Sequence, residues 1–226
     1  MELKSSDTMN ITLVSGDMSI IAKDVVKSVV TILVSQVVTS TLQFHCYDNV
    51  DITIRFIILF PEQADLHVDI FLCGNNSRVT IFGMYALSQK NNLKITSRQI
   101  HCGQNCSSEI MMQGILSGLS RSIYEGTIRI NEKACKTYAL QNNKNILLSD
   151  KAAAISIPNI EVLNHDVQCF HGAAVGKFDE QQMQYMQSRG LNELMIYQLL
   201  IQALFQKILQ GYENRELILQ SIYEKI

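Results

Sequence analysis

The sequence is poor in the features that mark several classes of protein. It contains only two prolines and no tryptophan in 226 residues, a composition that is unusual for a loop-rich secreted protein. No apolar run reaches the length of about 20 residues that a transmembrane helix needs. The segment from Met1 to Met9 is polar and carries both charge signs, so it lacks the basic start and apolar core of a signal peptide. These absences predict a cytoplasmic protein, or a protein of an organelle matrix if the source is eukaryotic.

An excess of charge of one sign and the common enzyme signatures are also lacking. The net charge is −2, so nothing indicates binding to nucleic acid or to an anionic membrane. The chain has no Gly-x-x-x-x-Gly-Lys-Ser/Thr phosphate loop, no Gly-x-Ser-x-Gly elbow and no His-Glu-x-x-His zinc motif. We therefore predict that the chain is not an enzyme and does not hydrolyse ATP by itself.

Helical periodicity is missing from most of the chain. Apolar and polar residues alternate instead, for example from Asp51 to Phe56, and β-branched residues dominate from Val25 to Leu42, where we predict two short strands. Without helices between the strands no βαβ unit is available, so many short, evenly spaced strands indicate a sandwich, a barrel or a solenoid. Hairpin turns of the Asn-Gly or Asp-Gly type are sparse, which favours a solenoid from about Ile11 to Gly176.

The periodicity becomes helical after this β region. The acidic pair Asp179-Glu180 suits a first helical turn, and Asn192 is a candidate N-cap for a second helix with a broad apolar stripe. A third helix is predicted from Asn214 to Ile226. The sequence therefore predicts a β core over residues 1–177 and a C-terminal helical region over residues 178–226.

An acid, a thiol and an imidazole lie close together at the end of the β region, at Asp166, Cys169 and His171. In an extended segment residues two apart share a face, so Cys169 and His171 are predicted to point the same way. Thiolate and imidazole are ligands suited to iron, iron–sulfur clusters or zinc. Reasoning from these residues alone favours the alternative that both side chains pack on a β face, and Asp166 is interpreted as a turn residue. The role of the neighbouring His165 is left open.

The remaining cysteines give a weaker metal signal. The stretch His101-Cys102-x-x-x-Cys106 holds three soft ligands, but its spacing is not that of a Cys-x-x-Cys zinc knuckle and no second pair follows. We interpret Cys102 and Cys106 as interior thiols. We interpret the isolated Cys46, Cys73 and Cys135 as core or surface thiols. In a chain of this length without an export signal, reduced thiols are expected rather than disulfides.

The sequence around Cys169 and His171 resembles the C-terminal core of the SufB/SufD family. These proteins are scaffold subunits of the SUF machinery for iron–sulfur cluster assembly, and the Cys-x-His-Gly form is more similar to SufD. The resemblance extends over about half of the chain, from Ile100 to Leu209. Its most specific positions around the junction are Cys169, His171, Gly172, Ala173, Gly176, Asp179, Glu180, Tyr185, Ser188, Arg189 and Gly190.

The resemblance implies a mainly β fold, a right-handed parallel β-helix, followed by a helical region. It implies a scaffold subunit that pairs with a SufB-like subunit, docks a SufC-like ATPase and handles iron or a nascent iron–sulfur cluster transiently between subunits. His171 matches a histidine held to lie near the subunit interface, and Cys169 carries over less securely. The motif at the start of the helices implies partner contacts for Tyr185, Arg189, Gly190 and Leu191.

Two alternatives stay open. One is a self-pairing homodimer of the SufB/SufD type. The other is a β-helix carbohydrate-active enzyme, which would carry a pair of carboxylates on one face of its core. For the SUF forms we predict dimerisation through the last strands, from about Val162 to His171. Family members commonly carry a helical region before the β core, so this chain looks like a shortened version.

Overall fold

The protein is described by a computed structural model over residues 1–3, 8–13, 15–24 and 26–226. Val25, at the start of the predicted strand pair, lies outside these described residues, as do parts of the polar N-terminal segment. In the described part of the chain, strands follow one another up to Gly176 and helices follow them. No helix among the described residues has the length and apolar character needed to cross a membrane.

The elements of the described chain are numbered in sequence order. The strands are β1 (Glu2–Leu3), β2 (Thr8–Thr12), β3 (Met18–Ala22), β4 (Val26–Val34), β5 (Val38–Cys46), β6 (Asp51–Leu59), β7 (Gln63–Leu72), β8 (Arg78–Leu87), β9 (Asn92–His101), β10 (Ser107–Leu116), β11 (Arg121–Ile130), β12 (Thr137–Leu147), β13 (Ala153–Val162) and β14 (Val167–Gly176). The helices are α1 (Glu180–Ser188), α2 (Glu193–Leu209) and α3 (Arg215–Lys225).

The strands form two parallel sheets that face each other. One sheet contains the odd-numbered strands in order and the other contains the even-numbered strands in order, so consecutive strands lie in opposite sheets. Each strand pairs in parallel with the strand two positions along the chain, as β7 does with β9, where Leu72 lies beside His101. The chain thus winds as a parallel β-helix, which confirms the predicted mainly β solenoid. The strand pairs of the described chain are parallel, so these strands do not form antiparallel hairpins.

The core lies between the two sheets and follows from the alternation in the sequence. In β5 every second residue points inward and is buried, including Leu42 and Phe44. Inward residues of successive coils stack on one another, as Phe44 does beside Ile70. This stacking buries a continuous row of apolar side chains, which is the main source of stability in a solenoid.

One corner of the solenoid repeats the same backbone conformation in successive coils. Asp24, Asn49, Asn76 and Asn105 all have φ between +47 and +58°, the left-handed region that Asn and Asp tolerate best among residues with a side chain. Their side chains form a ladder, in which each asparagine amide donates to the side-chain oxygen of the previous member. The spacing along the ladder is 25, 27 and 29 residues, so the coils lengthen toward the C-terminus.

The helices begin where the sequence predicts and cover the outer face of the even-strand sheet. The side chains of Asp179 and Asn192 accept hydrogen bonds from the first turns of α1 and α2. Outward residues of the sheet are buried beneath α2 and α3, and together they form a second apolar cluster. Its buried members are Ile57, Met84, Ala86, Ile115, Ile146, Ile201, Leu204, Phe205, Ile208, Leu209, Leu219 and Ile222.

A polar layer lies inside the solenoid near its C-terminal end. The hydroxyl of Tyr85 donates to the side-chain oxygen of Asn145 and accepts from the Asn143 amide at 3.1 Å. The Asn145 amide in turn donates to Asn143 at 2.8 Å. Burial raises the pKa of Tyr85 to about 12, so this hydroxyl stays protonated. Gly114 makes room for the Tyr85 ring, because a Cβ at Gly114 would collide with it.

We expect Gly114→Ala to lower the free energy of unfolding by about 1–3 kcal/mol, the usual cost of an extra methyl in a well-packed core. The matched control is Gly176→Ala, where an added Cβ has no neighbour within 4 Å. Urea unfolding monitored by circular dichroism measures both. Equal stability of the two variants would show that the Tyr85 ring moves aside freely.

Candidate functional site

The last coil of the solenoid presents an open end. Within the described chain β13 pairs only with β11 and β14 only with β12, so each is the terminal strand of its sheet. Large apolar side chains are exposed there, with Ile155 52% and Phe170 51% accessible. The other exposed apolar residues on these strands are Ile157, Ile160, Val162 and Val175. Unpaired strand edges combined with exposed apolar surface are typical of a surface that pairs with another chain.

Cys169 and His171 both lie on β14 at this open end. Cys169 is beside Ala139 and His171 is beside Gln141 on β12, and both of those residues are buried inside the solenoid. Cys169 and His171 therefore share the inward face, as their spacing predicts. Because no strand of the described chain covers β14, His171 remains exposed at the mouth of the interior.

The two side chains differ in their surroundings. Cys169 is partly buried and packs against the small apolar cluster that includes Ile128, Ile130 and Ala139. Burial raises the pKa of its thiol, so a metal ion binding there would have to displace a proton. The described residues contain no group of three or more His, Cys, Asp or Glu side chains arranged to hold a metal ion.

Directly beneath His171 the interior is polar, a feature that sequence reasoning missed. Gln141 is buried, and its amide lies across Gly126, where a Cβ would collide with it. Its Oε1 has no hydrogen-bond partner among the described residues. The signal was present in the sequence, because Gln141, Asn143 and Asn145 alternate at positions that would otherwise be apolar.

The stretch His101-Cys102-x-x-x-Cys106 does not converge on one point. His101 is buried, its Nε2 lies 2.7 Å from the Ser108 hydroxyl, and burial lowers its pKa to about 4. Cys106 is buried and its thiol donates to the Gly74 carbonyl at 3.1 Å. Cys102 is only partly buried, so the interpretation as interior thiols is wrong for Cys102. Cys46 is buried, Cys73 is exposed and Cys135 is partly buried.

The residues before β14 lie in a bend. The backbone N–H of Asp166 donates to the side-chain oxygen of Asn164 at 2.8 Å, and its carbonyl accepts from the N–H of Lys136 at 2.7 Å. Asp166 thus shapes the turn into β14. His165 is exposed in the same bend.

The predicted partner-contact residues are grouped at the end of α1. The Arg189 guanidinium lies 4.9 Å from the centroid of the Tyr185 ring, and Tyr185 is 59% exposed. Gly190 has φ +89°, and the N–H of Leu191 donates to the Met186 carbonyl at 3.3 Å, so the chain reverses here. No residue of α1 is buried, and all of its residues except the partly buried Met183 and Met186 are exposed.

Acidic residues on the outer face of β7 bear on the carbohydrate-active alternative. Asp65 lies 3.5 Å from His67, and the buried Asp69 accepts two hydrogen bonds from Arg98. Asp65 and Asp69 are four residues apart on β7, so their positions along the strand are separated by about 13 Å. Glycosidases hold their carboxyl pair about 5–9.5 Å apart, so this pair does not match.

Comparison with known proteins agrees with the geometry of the fold. The family model described as "SUF system FeS cluster assembly, SufBD core domain" matches residues 33–204. The iron–sulfur cluster assembly protein SufD of Escherichia coli is 30% identical over 147 residues, which cover 65% of this chain and 34% of SufD. An iron–sulfur cluster assembly SufBD family protein of Mycobacterium tuberculosis is 26% identical over 161 residues, covering 68% of this chain and 41% of that protein.

A chloroplastic SufBD family protein of Arabidopsis thaliana is 33% identical over 111 residues, covering 48% of this chain and 20% of that protein. The chain thus spans about two fifths or less of the length of these relatives. Because the family model covers most of the strands and the start of α2, the chain belongs to the SufBD family of iron–sulfur cluster assembly proteins.

Proposed function

We propose that this chain acts as a SufD-like scaffold subunit in iron–sulfur cluster assembly. The observation that carries the proposal is the open end of the solenoid, where Cys169 and His171 lie on the inward face of a strand rimmed by exposed apolar residues. The similarity of this chain to SufD of Escherichia coli also supports the proposal of a SufD-like subunit.

The open end is suited to pairing with a second, homologous subunit. The outer edges of β13 and β14 carry unpaired backbone groups, and a similar coil from a SufB-like subunit would cover both. Covering this end would also remove Ile157 and Phe170 from water, a favourable term of about 25 cal/mol per Å² of apolar surface. Self-pairing of two copies would use the same edges, and the mass of the purified chain with and without a SufB-like subunit distinguishes the two arrangements.

The chemistry of the two side chains suits iron as a cargo. Imidazole and thiolate both bind iron, and iron–sulfur clusters are held by cysteine and, in some centres, histidine. His171 is exposed and available without a structural change, whereas the Cys169 thiol is partly buried and packed. We assign the main ligand role to His171. A cluster needs more ligands than these two, and a SufB-like subunit at the open end would supply the others.

The accessible helices suit a separate partner, a SufC-like ATPase. Most of α1 is exposed, and the first turn of α2 exposes Leu194 and Met195. Tyr185 and Arg189 stack beside this surface. Aromatic and arginine side chains next to exposed apolar residues are the usual anchors of protein interfaces.

We expect His171→Ala to reduce cluster formation on the complex about tenfold or more, in line with the loss caused by removing groups that support a metal ligand. The fold should remain, because His171 is exposed and its removal opens no core cavity. The chain is co-purified with SufB-like and SufC-like subunits, supplied with iron and sulfide, and followed by ultraviolet–visible absorption.

Cys169→Ala is the matched comparison on the same strand face, and it should cost little cluster yield if the thiol mainly packs. ATP hydrolysis by the SufC-like subunit should persist in both variants. Full cluster yield with His171→Ala would refute the ligand role. The mass of the purified chain, alone and with the SufB-like subunit, separates pairing with a partner from self-pairing.

A further inference from the structure

Two cysteines that the proposed function does not use lie side by side at one corner of the solenoid. Cys73 follows directly after β7 and Cys102 directly after β9. The parallel ladder continues past the strands, because the N–H of Cys102 donates to the Leu72 carbonyl at 3.0 Å. In a parallel ladder this hydrogen bond places Cys102 beside Cys73 on the neighbouring coil.

The backbones of the two coils approach closely at this point. Gly74 and Gly103 follow the two cysteines, and a Cβ at Gly103 would collide with the carbonyl of Gly74. Neighbouring strands are about 4.7–4.9 Å apart, which is inside the Cα separation of about 4.4–6.8 Å that a disulfide spans. Leu72 and His101 lie side by side in the ladder and each cysteine follows directly after one of them, so the two cysteines occupy matching positions in neighbouring coils.

Both thiols are within reach of small solutes. Cys73 is exposed, and the partly buried Cys102 lines a shallow pocket together with Arg129 and Lys133. The Asn131 amide of the following coil donates to the Cys102 sulfur at 3.1 Å, a contact that the sulfur exchanges for the bond to Cys73 when the disulfide forms. Burial, and then the neighbouring Cys102, raises the pKa of Cys73, which agrees with their proximity.

We propose that Cys73 and Cys102 form a reversible intrachain disulfide when the protein meets hydrogen peroxide. The Cys102 sulfur attacks one peroxide oxygen, the O–O bond breaks, and a sulfenic acid and one water form. The Cys73 sulfur then attacks the sulfenic sulfur and releases the second water. Two thiols lose two electrons and two protons, and the peroxide gains both. A dithiol reductant later reduces the disulfide to two thiols by thiol–disulfide exchange and is itself oxidised to a disulfide.

The other two cysteines near this corner provide an internal comparison. Cys46 is buried, and burial raises its pKa to about 12. Cys106 is also buried, and its thiol donates to the Gly74 carbonyl. Peroxide has poor access to a buried thiol, so these two cysteines should stay reduced while the more accessible pair is oxidised.

The test uses the full chain treated with hydrogen peroxide, blocked with N-ethylmaleimide, digested without reductant and mapped by mass spectrometry. The expected product is one peptide pair joined through Cys73 and Cys102, which dithiothreitol separates. Cys73→Ser and Cys102→Ser should each abolish it, and the control Cys135→Ser, at a partly buried cysteine of the next coil, should retain it.

Three results would overturn the proposal. The first is complete maleimide labelling of Cys73 and Cys102 after peroxide treatment. The second is a disulfide that joins Cys102 to another cysteine or to a second chain. The third is a linkage that survives in the Cys73→Ser chain.

Discussion

Arg55→Met is expected to lower the free energy of unfolding by about 3–5 kcal/mol and to loosen the end of α2. The Arg55 Nε donates to the Ile208 carbonyl at 2.7 Å, and an Nη donates to the Gln210 carbonyl at 3.0 Å. Each hydrogen bond from a charged donor contributes about 1.5–3 kcal/mol, and its loss leaves a poorly hydrated carbonyl behind. Urea unfolding measures the loss.

Arg55 stabilises the end of α2 because the last carbonyls of a helix have no hydrogen-bond partner within the helix. A cation at this end also interacts favourably with the helix dipole. The guanidinium lies 5.5 Å from the centroid of the Tyr212 ring and also reaches the Thr31 hydroxyl at 3.3 Å. Methionine keeps the apolar stem and removes every donor, so hydrogen exchange should rise at the end of α2 while the strands stay protected.

The control for this prediction is Arg129→Met. Arg129 pairs with Glu161 at 3.6 Å, and both side chains are about half exposed, so its loss should cost less than about 1 kcal/mol. Similar losses in the two variants would mean that Arg55 contributes no more than a surface ion pair.

Lowering the pH from 7 to 4 is expected to remove about 3 kcal/mol of stability through His101 alone. Burial lowers the pKa of His101 from 6.5 to about 4 in the folded protein, and each pKa unit corresponds to about 1.4 kcal/mol. Between these two values the unfolded chain binds a proton that the folded chain does not. The contribution of His101 to the free energy of unfolding is therefore fully present above about pH 6.5, and it is lost as the pH drops toward 4.

The contribution of His101 is isolated by comparing variants, because carboxylates also titrate as the pH falls. His101→Gln should flatten the difference between pH 6.5 and 4 relative to the unaltered chain. The free energy of unfolding in urea at several pH values gives both slopes. The same slope in His101→Gln and the unaltered chain would contradict the prediction.

Much of the fold could be predicted because it depends on local pattern. Alternation places strands such as β6 close to their observed bounds, and the predicted cap at Asn192 lies next to the residues that it satisfies. Asp179, predicted in the first helical turn, is instead the N-cap of α1. The position of Arg55 beneath α2 could not be predicted, since its partners lie 153 and 155 residues away. A boundary at residues 177 and 178 stays a prediction.

The candidate site was also predictable only where it depends on residues close together in the sequence. Two residues on one strand share a face, so Cys169 and His171 could be placed together from spacing. Their position at an open end depends on β14 being the last strand of its sheet, which no local pattern shows. Cys73 and Cys102 are far apart in sequence and meet only because the coil between them has the right length.

The growing coil length along the asparagine ladder limits how copies of this protein stack. Asp24 to Asn49 spans 25 residues, whereas Glu132 and Asn164, which contact each other in the last coil, are 32 residues apart. The last described coil is therefore longer than the first ones. Under the proposed pairing at the open end, two rims of matching length would meet face to face, which favours a closed pair over head-to-tail stacking of long coils on short ones.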